Sequence, residues 1–157
     1  MVPRSRAVHA RAAARRRQKL VTDPETSARL GRIRQRDTAA ELAVRRIIHQ
    51  LGHRFRVGNR DLPGSPDIAN RKRRWAIFVH GCFWHRHNGC SRTTTPKRNR
   101  EFWEAKFEAN IVRDRRVAST LRELGYKIIT IWECEIADQI ALQRNLKRVL
   151  EASRNGL

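Results

Sequence analysis

Acidic residues are scarce in this chain: 15 Asp and Glu stand against 35 Lys and Arg over 157 residues, a formal charge of +20. Such an excess favours an extended polyanion, DNA or RNA, over a small acidic substrate. Long hydrophobic runs are also missing. None approaches the ~20 residues of a membrane helix, and no lipidation motif is present, so coating of anionic lipid is the weaker use of the charge. The basic N-terminus lacks the apolar core of a secretory signal, about 7 to 15 residues, and a cytoplasmic, nucleoid-associated protein is expected. Cysteine is limited to three, an odd number that in such a compartment argues for metal ligation and against disulfides. Internal repeats are absent, and the length suits one domain.

Residues 1–22 hold seven Arg or Lys and no acid. They have too few large apolar groups to pack and read as a flexible cationic arm; residues 23–157 are expected to form the folded domain. Asp23-Pro24 suits an N-cap followed by proline at the first helical position, opening a short helix that ends near Gly31. Thr38 and Glu41 have capping-box spacing, Ala40, Val44, Ile47, Ile48 and Leu51 recur at helical period, and Gly52 supplies the stop. The period then drops to two. His53-Arg54-Phe55-Arg56-Val57 predicts a half-exposed strand, Asp61 to Pro66 a turn-rich loop, and Asp67-Ile68-Ala69 the start of a second strand. A basic turn, Asn70 to Arg74, closes a hairpin with Trp75-Ala76-Ile77-Phe78-Val79, apolar enough to be covered on both faces. Asn99 to Leu124 carries Trp103, Phe107, Ile111, Ala118 and Leu121 on one side of a long helix that stops at Gly125. Tyr126 to Trp132 is another central strand, and Ile140, Leu146, Val149 and Leu150 suit a closing amphipathic helix. The predicted order α-β-β-β-α-β-α calls for a mixed sheet whose last strand returns by a right-handed helical crossover.

Histidine and cysteine concentrate in one place: His80-Gly81-Cys82-Phe83-Trp84-His85-Arg86-His87-Asn88-Gly89-Cys90, with Cys134 closing the last strand. Zinc takes four tetrahedral sulfur or nitrogen ligands, so Cys82, Cys90 and Cys134 with one histidine would make a closed, structural Cys3His site. Spacing leaves His85 and His87 equally eligible as the fourth ligand. The other would then stand beside the metal, near neutral pKa, as a general base. The competing reading is three inert thiols, one at a strand end and two packed in the loop. Phe83 and Trp84 are either the core of that loop or wedges that enter a base stack, where unstacking costs least at a mismatch; the loop position favours wedges. Arg and Lys in residues 1–36 and in Arg92 to Arg100 read as phosphate contacts, which position without specifying.

A phosphodiesterase needs a carboxylate to hold Mg2+ and a group to activate water, both on a rigid frame. Asp67 at one strand start and Val79-His80 at the end of its antiparallel partner lie within reach of each other. Pro66-Asp67 alone reads equally well as a turn whose aspartate caps an amide. The wider pattern is more specific. Arg36-Asp37-Thr38-Ala39 with Glu41, Leu62-Pro63-Gly64-Ser65-Pro66-Asp67, His80-Gly81-Cys82-Phe83-Trp84-His85, Phe102-Trp103, Arg113-Asp114 and Ile131-Trp132-Glu133-Cys134 follow one another in order. From about Leu30 to Cys134 the chain closely resembles the very short patch repair (Vsr) endonucleases, the mismatch nickases.

The resemblance implies a restriction-endonuclease-like α/β fold, a mixed β-sheet flanked by helices with a structural zinc loop, filling residues 23–157 as a single Vsr-like endonuclease domain. It implies Mg2+-dependent nicking of one DNA strand 5′ to the thymine of a T:G mismatch, the lesion left when 5-methylcytosine deaminates. Monomeric action follows by the same analogy, with other mismatch-repair proteins as candidate partners. Carried onto matching positions, Asp67 and the main-chain carbonyl of Val79, where relatives commonly have threonine, would hold Mg2+, and His85 would be the general base. His87 then joins Cys82, Cys90 and Cys134 on zinc. His80, paired through Asp114, would assist near the scissile phosphate, and Glu41 would support the site, although a capping box already accounts for it. Phe83 and Trp84 would intercalate from one groove and Leu30, where relatives often have methionine, from the other. Two other functions compete: a sequence-specific restriction endonuclease on the same fold, and a non-catalytic, zinc-braced DNA-binding module.

Overall fold

The computed structural model describes residues 36–152 together with Ala28, Gly31 and Arg32. Helix α1 (Ala39–Gln50) begins where the Thr38 hydroxyl accepts from the Glu41 amide at 3.2 Å, and it stops at Gly52, whose φ of +74° is one that glycine adopts without strain. Its Val44, Ile47 and Ile48 are buried. A hairpin follows, β1 (Ile68–Asn70) antiparallel to β2 (Trp75–His80), with Ile68 opposite Ile77. After β2 come a one-turn helix α2 (Cys82–His85), the long α3 (Arg100–Glu123) and β3 (Lys127–Trp132). β3 lies parallel to β2, from Trp75 opposite Lys127 to His80 opposite Trp132. A 3-10 turn (Glu133–Ala137) leads into α4 (Gln139–Ala152), whose start Asp138 caps by accepting from the Ala141 amide at 2.9 Å.

The result is a mixed α/β domain around a three-stranded sheet in the order β1-β2-β3. Side-chain alternation along β2 divides the core. Trp75 and Ile77 pack with Ile131 against Val44, Ile47 and Ile48 of α1 and Leu142, Leu146 and Leu150 of α4. On the other face Ala76 packs with Leu121 and Tyr126, flanked by Phe78 and Val117. β2 is therefore covered on both sides, as its apolar run predicts. Each fully buried Ile, Leu or Val removes enough apolar surface from water to contribute about 1.5–3 kcal/mol.

Two expectations need correction. The strand predicted over His53 to Val57 reduces to one bridge, Arg56 opposite Ala69. The chain turns away immediately after it at Gly58, φ +68°, and Asn59 Nδ2 takes up the Arg56 carbonyl at 3.0 Å. Ile140, expected in the core, is 73% exposed, while Leu142 takes the buried position at 4%. The capped start at Asp138 sets that phase. The arm at 1–22 and Leu30 lie outside the described residues, as does most of the helix expected from Asp23, of which Ala28 and Gly31 are seen in helical conformation.

Candidate functional site

Asp67 stands immediately before β1 and therefore beside the last residues of β2. Its Oδ2 accepts from the Val79 amide at 2.7 Å. In a strand the N–H and C=O of one residue share an edge, so the Val79 carbonyl also faces β1. The preceding loop is pinned from two sides. Buried Asn59 donates to the Pro66 carbonyl at 3.0 Å, and Gly64, φ +70°, lies so close to α3 that a Cβ there would sit 2.4 Å from Val117 Cγ1. Burial raises the Asp67 pKa against the pull of the Val79 amide, and the nearby Glu41 carboxylate raises it further while Arg45 opposes. Asp67, Glu41, Asp37 and Arg45 line one cleft of about 130 Å³.

Glu41, 5% exposed, carries out the capping role its spacing predicts and faces the same cleft. It accepts from the Thr38 hydroxyl at 2.9 Å, the Asp37 amide at 3.0 Å and the Arg45 guanidinium at 3.1 Å. Arg45, which also holds Asp37 at 2.6 Å, was missed by the sequence reading. Its signal was the Glu41–Arg45 spacing of four on a helix.

At the end of β2 the His80 ring stacks on His85, centroids 3.8 Å apart and planes within 10°. His85 Nδ1 meets Asp114 Oδ2 at 2.5 Å. The Asp114 carboxylate thus pairs with His85, not with His80 as expected, because α2 lays His85 directly against α3 while His80 remains in the strand. His80, Asp114 and His85 still form one group, with nitrogen and oxygen atoms within 4.8 Å of one another. Burial first, and then the neighbouring His85, bring His80 down to about 4.

Cys82, His87, Cys90 and Cys134 form a second group whose sulfur and nitrogen atoms also lie within 4.8 Å. Cys82 Sγ is 3.7 Å and Cys134 Sγ 3.2 Å from His87 Nδ1. A tetrahedral zinc, with bonds of about 2.3 Å to sulfur and 2.0–2.1 Å to nitrogen, separates such atoms by about 3.6 Å, so the donor set fits that ion. The parallel register explains the remote member: α2 follows β2 and Cys134 follows β3, so both leave the sheet at the same end. Of the two eligible histidines, His87 lies with the cysteines and His85 with Asp114. Arg86 separates them in the left-handed conformation, φ 58°, which turns the chain between the two side chains. The Thr93 hydroxyl donates to the Cys82 and His87 carbonyls at 3.2 and 2.8 Å, and the His87 ring lies flat on Trp132 at 4.3 Å. Trp132 in turn meets the His80 ring edge-on at 5.5 Å.

Phe83 and Trp84 are half-buried. Phe83 packs edge-on against Trp103 and Phe107 of α3 at 5.5 and 5.1 Å, and Lys106 Nζ sits 5.1 Å from the Trp84 ring. They belong to the packing of the loop and still present surface. Asn110 Nδ2 ties the Trp84 carbonyl to α3 at 3.0 Å, a contact with no local signal in sequence.

A mixed α/β frame that ends in a cleft-lining carboxylate, a His–Asp pair and a Cys3His knot, on a chain of charge +20, defines a nuclease. The family model described as DNA mismatch endonuclease Vsr matches residues 19–92. A type II nicking enzyme, V.XorIIP of Xanthomonas oryzae pv. oryzae, is 43% identical over 121 residues, 77% of this chain and 88% of that protein. Another, V.NmeAIP of Neisseria meningitidis serogroup A, is 32% identical over 126 residues, 80% of this chain and 89% of that one. The DNA mismatch endonuclease Vsr of Escherichia coli K12 is 42% identical over 104 residues, 66% of either chain. The chain belongs to the Vsr family of DNA mismatch endonucleases and is an endodeoxyribonuclease.

Proposed function

We propose that this enzyme nicks one strand of duplex DNA 5′ to the thymine of a T:G mismatch, with Mg2+ at Asp67, and so initiates very short patch repair of deaminated 5-methylcytosine. The observation that carries this reading is the 2.5 Å contact between His85 Nδ1 and Asp114 Oδ2. A carboxylate that accepts from Nδ1–H leaves Nε2 unprotonated, so His85 takes the proton of the attacking water at that atom. His80, flat against His85, fixes the plane of the base. The half-buried Asp67 carboxylate, the second negative charge at Glu41 and the Val79 carbonyl on the same edge are a hard-oxygen set suited to Mg2+. When bound, Mg2+ supplies electrostatic stabilisation of the charge that builds on the phosphate. Cys82, His87, Cys90 and Cys134 would hold zinc as a closed site that braces the one-turn helix carrying His85. Phe83 and Trp84 provide the edge that enters the base stack.

One set of labelled duplexes tests this: every single mismatch and a paired control, each with Mg2+ or chelator. Nicking confined to T:G with Mg2+ is expected, and Asp67→Ala or His85→Ala should abolish it while DNA binding persists. Double-strand cleavage of paired DNA would replace this reading with a restriction-type enzyme. Binding without any cleavage would leave a non-catalytic module.

A further inference from the structure

The register that sets His80 beside Trp132 gathers Asn70, Trp75 and Lys127 at the opposite end of the sheet. From Trp75 to His80 the strand takes five steps of about 3.3 Å, so the two ends are about 16 Å apart. The far end carries the turn Arg71-Lys72-Arg73-Arg74, and Arg54 joins it because its carbonyl accepts from Asn70 Nδ2 at 2.7 Å. The turn is stiff. Asn70 Oδ1 accepts from the Arg73 amide at 2.8 Å, Arg71 is held by Asp61 at 2.6 Å, and Arg74 donates to the Leu124 carbonyl at 3.0 Å while lying over the Tyr126 ring. Lys127 Nζ is tied to the Val149 carbonyl at 3.0 Å. The cations that remain are Arg54 and Lys72, both exposed, and the half-exposed Arg73, none of which makes an ion pair among the described residues. Asp61 is taken up by Arg71, and Glu123, at the end of α3, accepts from Ser119 at 3.1 Å.

A preorganised turn that holds unpaired guanidinium and ammonium groups outward is a phosphate-binding surface. It lies at the end of the sheet opposite Val79 and His80, and duplex DNA, with a persistence length of about 150 bp, does not wrap round so short a strand to reach both ends. We propose that this pole binds the backbone of a second duplex segment while the catalytic pole holds the first. The inference rests on the reading of the catalytic end as the site of the mismatched duplex. A protein with two such poles passes between segments without release into solution, which shortens a search among many paired sites for one rare lesion. Arg54, Lys72 and Arg73 are the residues that carry it.

The test uses the full chain in chelator, so that nothing is cut. A short T:G duplex fixed to beads is saturated with protein and washed, then offered a longer, labelled, fully paired duplex. Wild type is expected to retain the label, in a 1:2 protein-to-duplex complex by sedimentation. Arg54→Glu/Lys72→Glu/Arg73→Glu should retain at least tenfold less, with the same protein load on the beads, an unchanged thermal midpoint, and single-turnover nicking of the short T:G duplex within twofold of wild type. Lys72→Gln alone should fall between them. No retention by wild type would overturn the proposal. So would full retention by the triple variant, which would assign bridging to basic residues outside the turn. A loss of T:G binding in step with bridging would also overturn it, by placing the turn on the first duplex. If neither protein nicks T:G yet wild type bridges, the proposed reaction fails and the second surface stands.

Discussion

At the scale of single residues, the Asp114 carboxylate matters because it sets which nitrogen of His85 is free. Asp114→Asn keeps the shape of the contact and removes the charge that selects the tautomer. Single-turnover nicking is expected to fall about 10²–10⁴-fold, with unchanged DNA affinity in chelator; an unaltered rate would remove His85 from the chemistry. Gly64 is a second such point, since its φ of +70° and the 2.4 Å approach of a Cβ to Val117 both exclude a side chain. Gly64→Ala should cost about 1–2 kcal/mol for the left-handed backbone and about 1–3 kcal/mol for the collision. Chemical denaturation checks this, and with Val117→Ala the two changes should be non-additive. Asp67, Glu41 and the cysteines were legible in the sequence because their types are rare and their neighbours distinctive. The Asp114 partner was not: His80 and His85 are five residues apart, and only the turn of α2 decides which of them meets α3.

Among elements, α2 is the least able to stand alone. Four residues form one helical turn, and a first turn is unfavourable by itself, so Thr93, Asn110 and the Cys3His knot must hold it. Cys134→Ser should lose the zinc proposed for this site, measured as zinc per chain by elemental analysis, and should lower both the thermal midpoint and nicking together. Trp132 supports the same element from β3 by lying on His87. Trp132→Ala should weaken metal retention against a chelator by about 10–100-fold, and Trp132→Phe should keep most of it. Equal retention in all three proteins would show that the indole does not position His87. The helices over 39–50, 100–123 and 139–152 were legible from apolar period and their stop or cap signals, and the hairpin from its basic turn, but the one-turn α2 was not. The stretch from His53 to Val57 alternates like a strand, but alternation does not reveal that Gly58 and Asn59 end its pairing after one bridge.

For the whole molecule, charge sets the strength of DNA binding and packing sets the place where cleavage occurs. If the protein neutralises about 6–10 phosphates, its affinity for paired DNA should fall about 10³–10⁵-fold between roughly 50 and 200 mM salt. Fluorescence anisotropy across that range checks it, and a flat response would deny the charge its role. Charge was readable from the chain, and so was element order apart from the strand lost at 53–57 and the added α2, but the junction that builds the site was not, because β2 and β3 are neighbours in the sheet yet 46 residues separate them in sequence. A lone cysteine at the end of β3 was the one sign of that junction.

The parallel ladder has a consequence for the protein while it is being made. Until residue 134 has left the ribosome and β3 has zipped onto β2, the knot lacks a sulfur and α2 lacks its brace. A half-synthesised chain therefore has no assembled site, and the nascent polypeptide stays inactive until its last strand is in place.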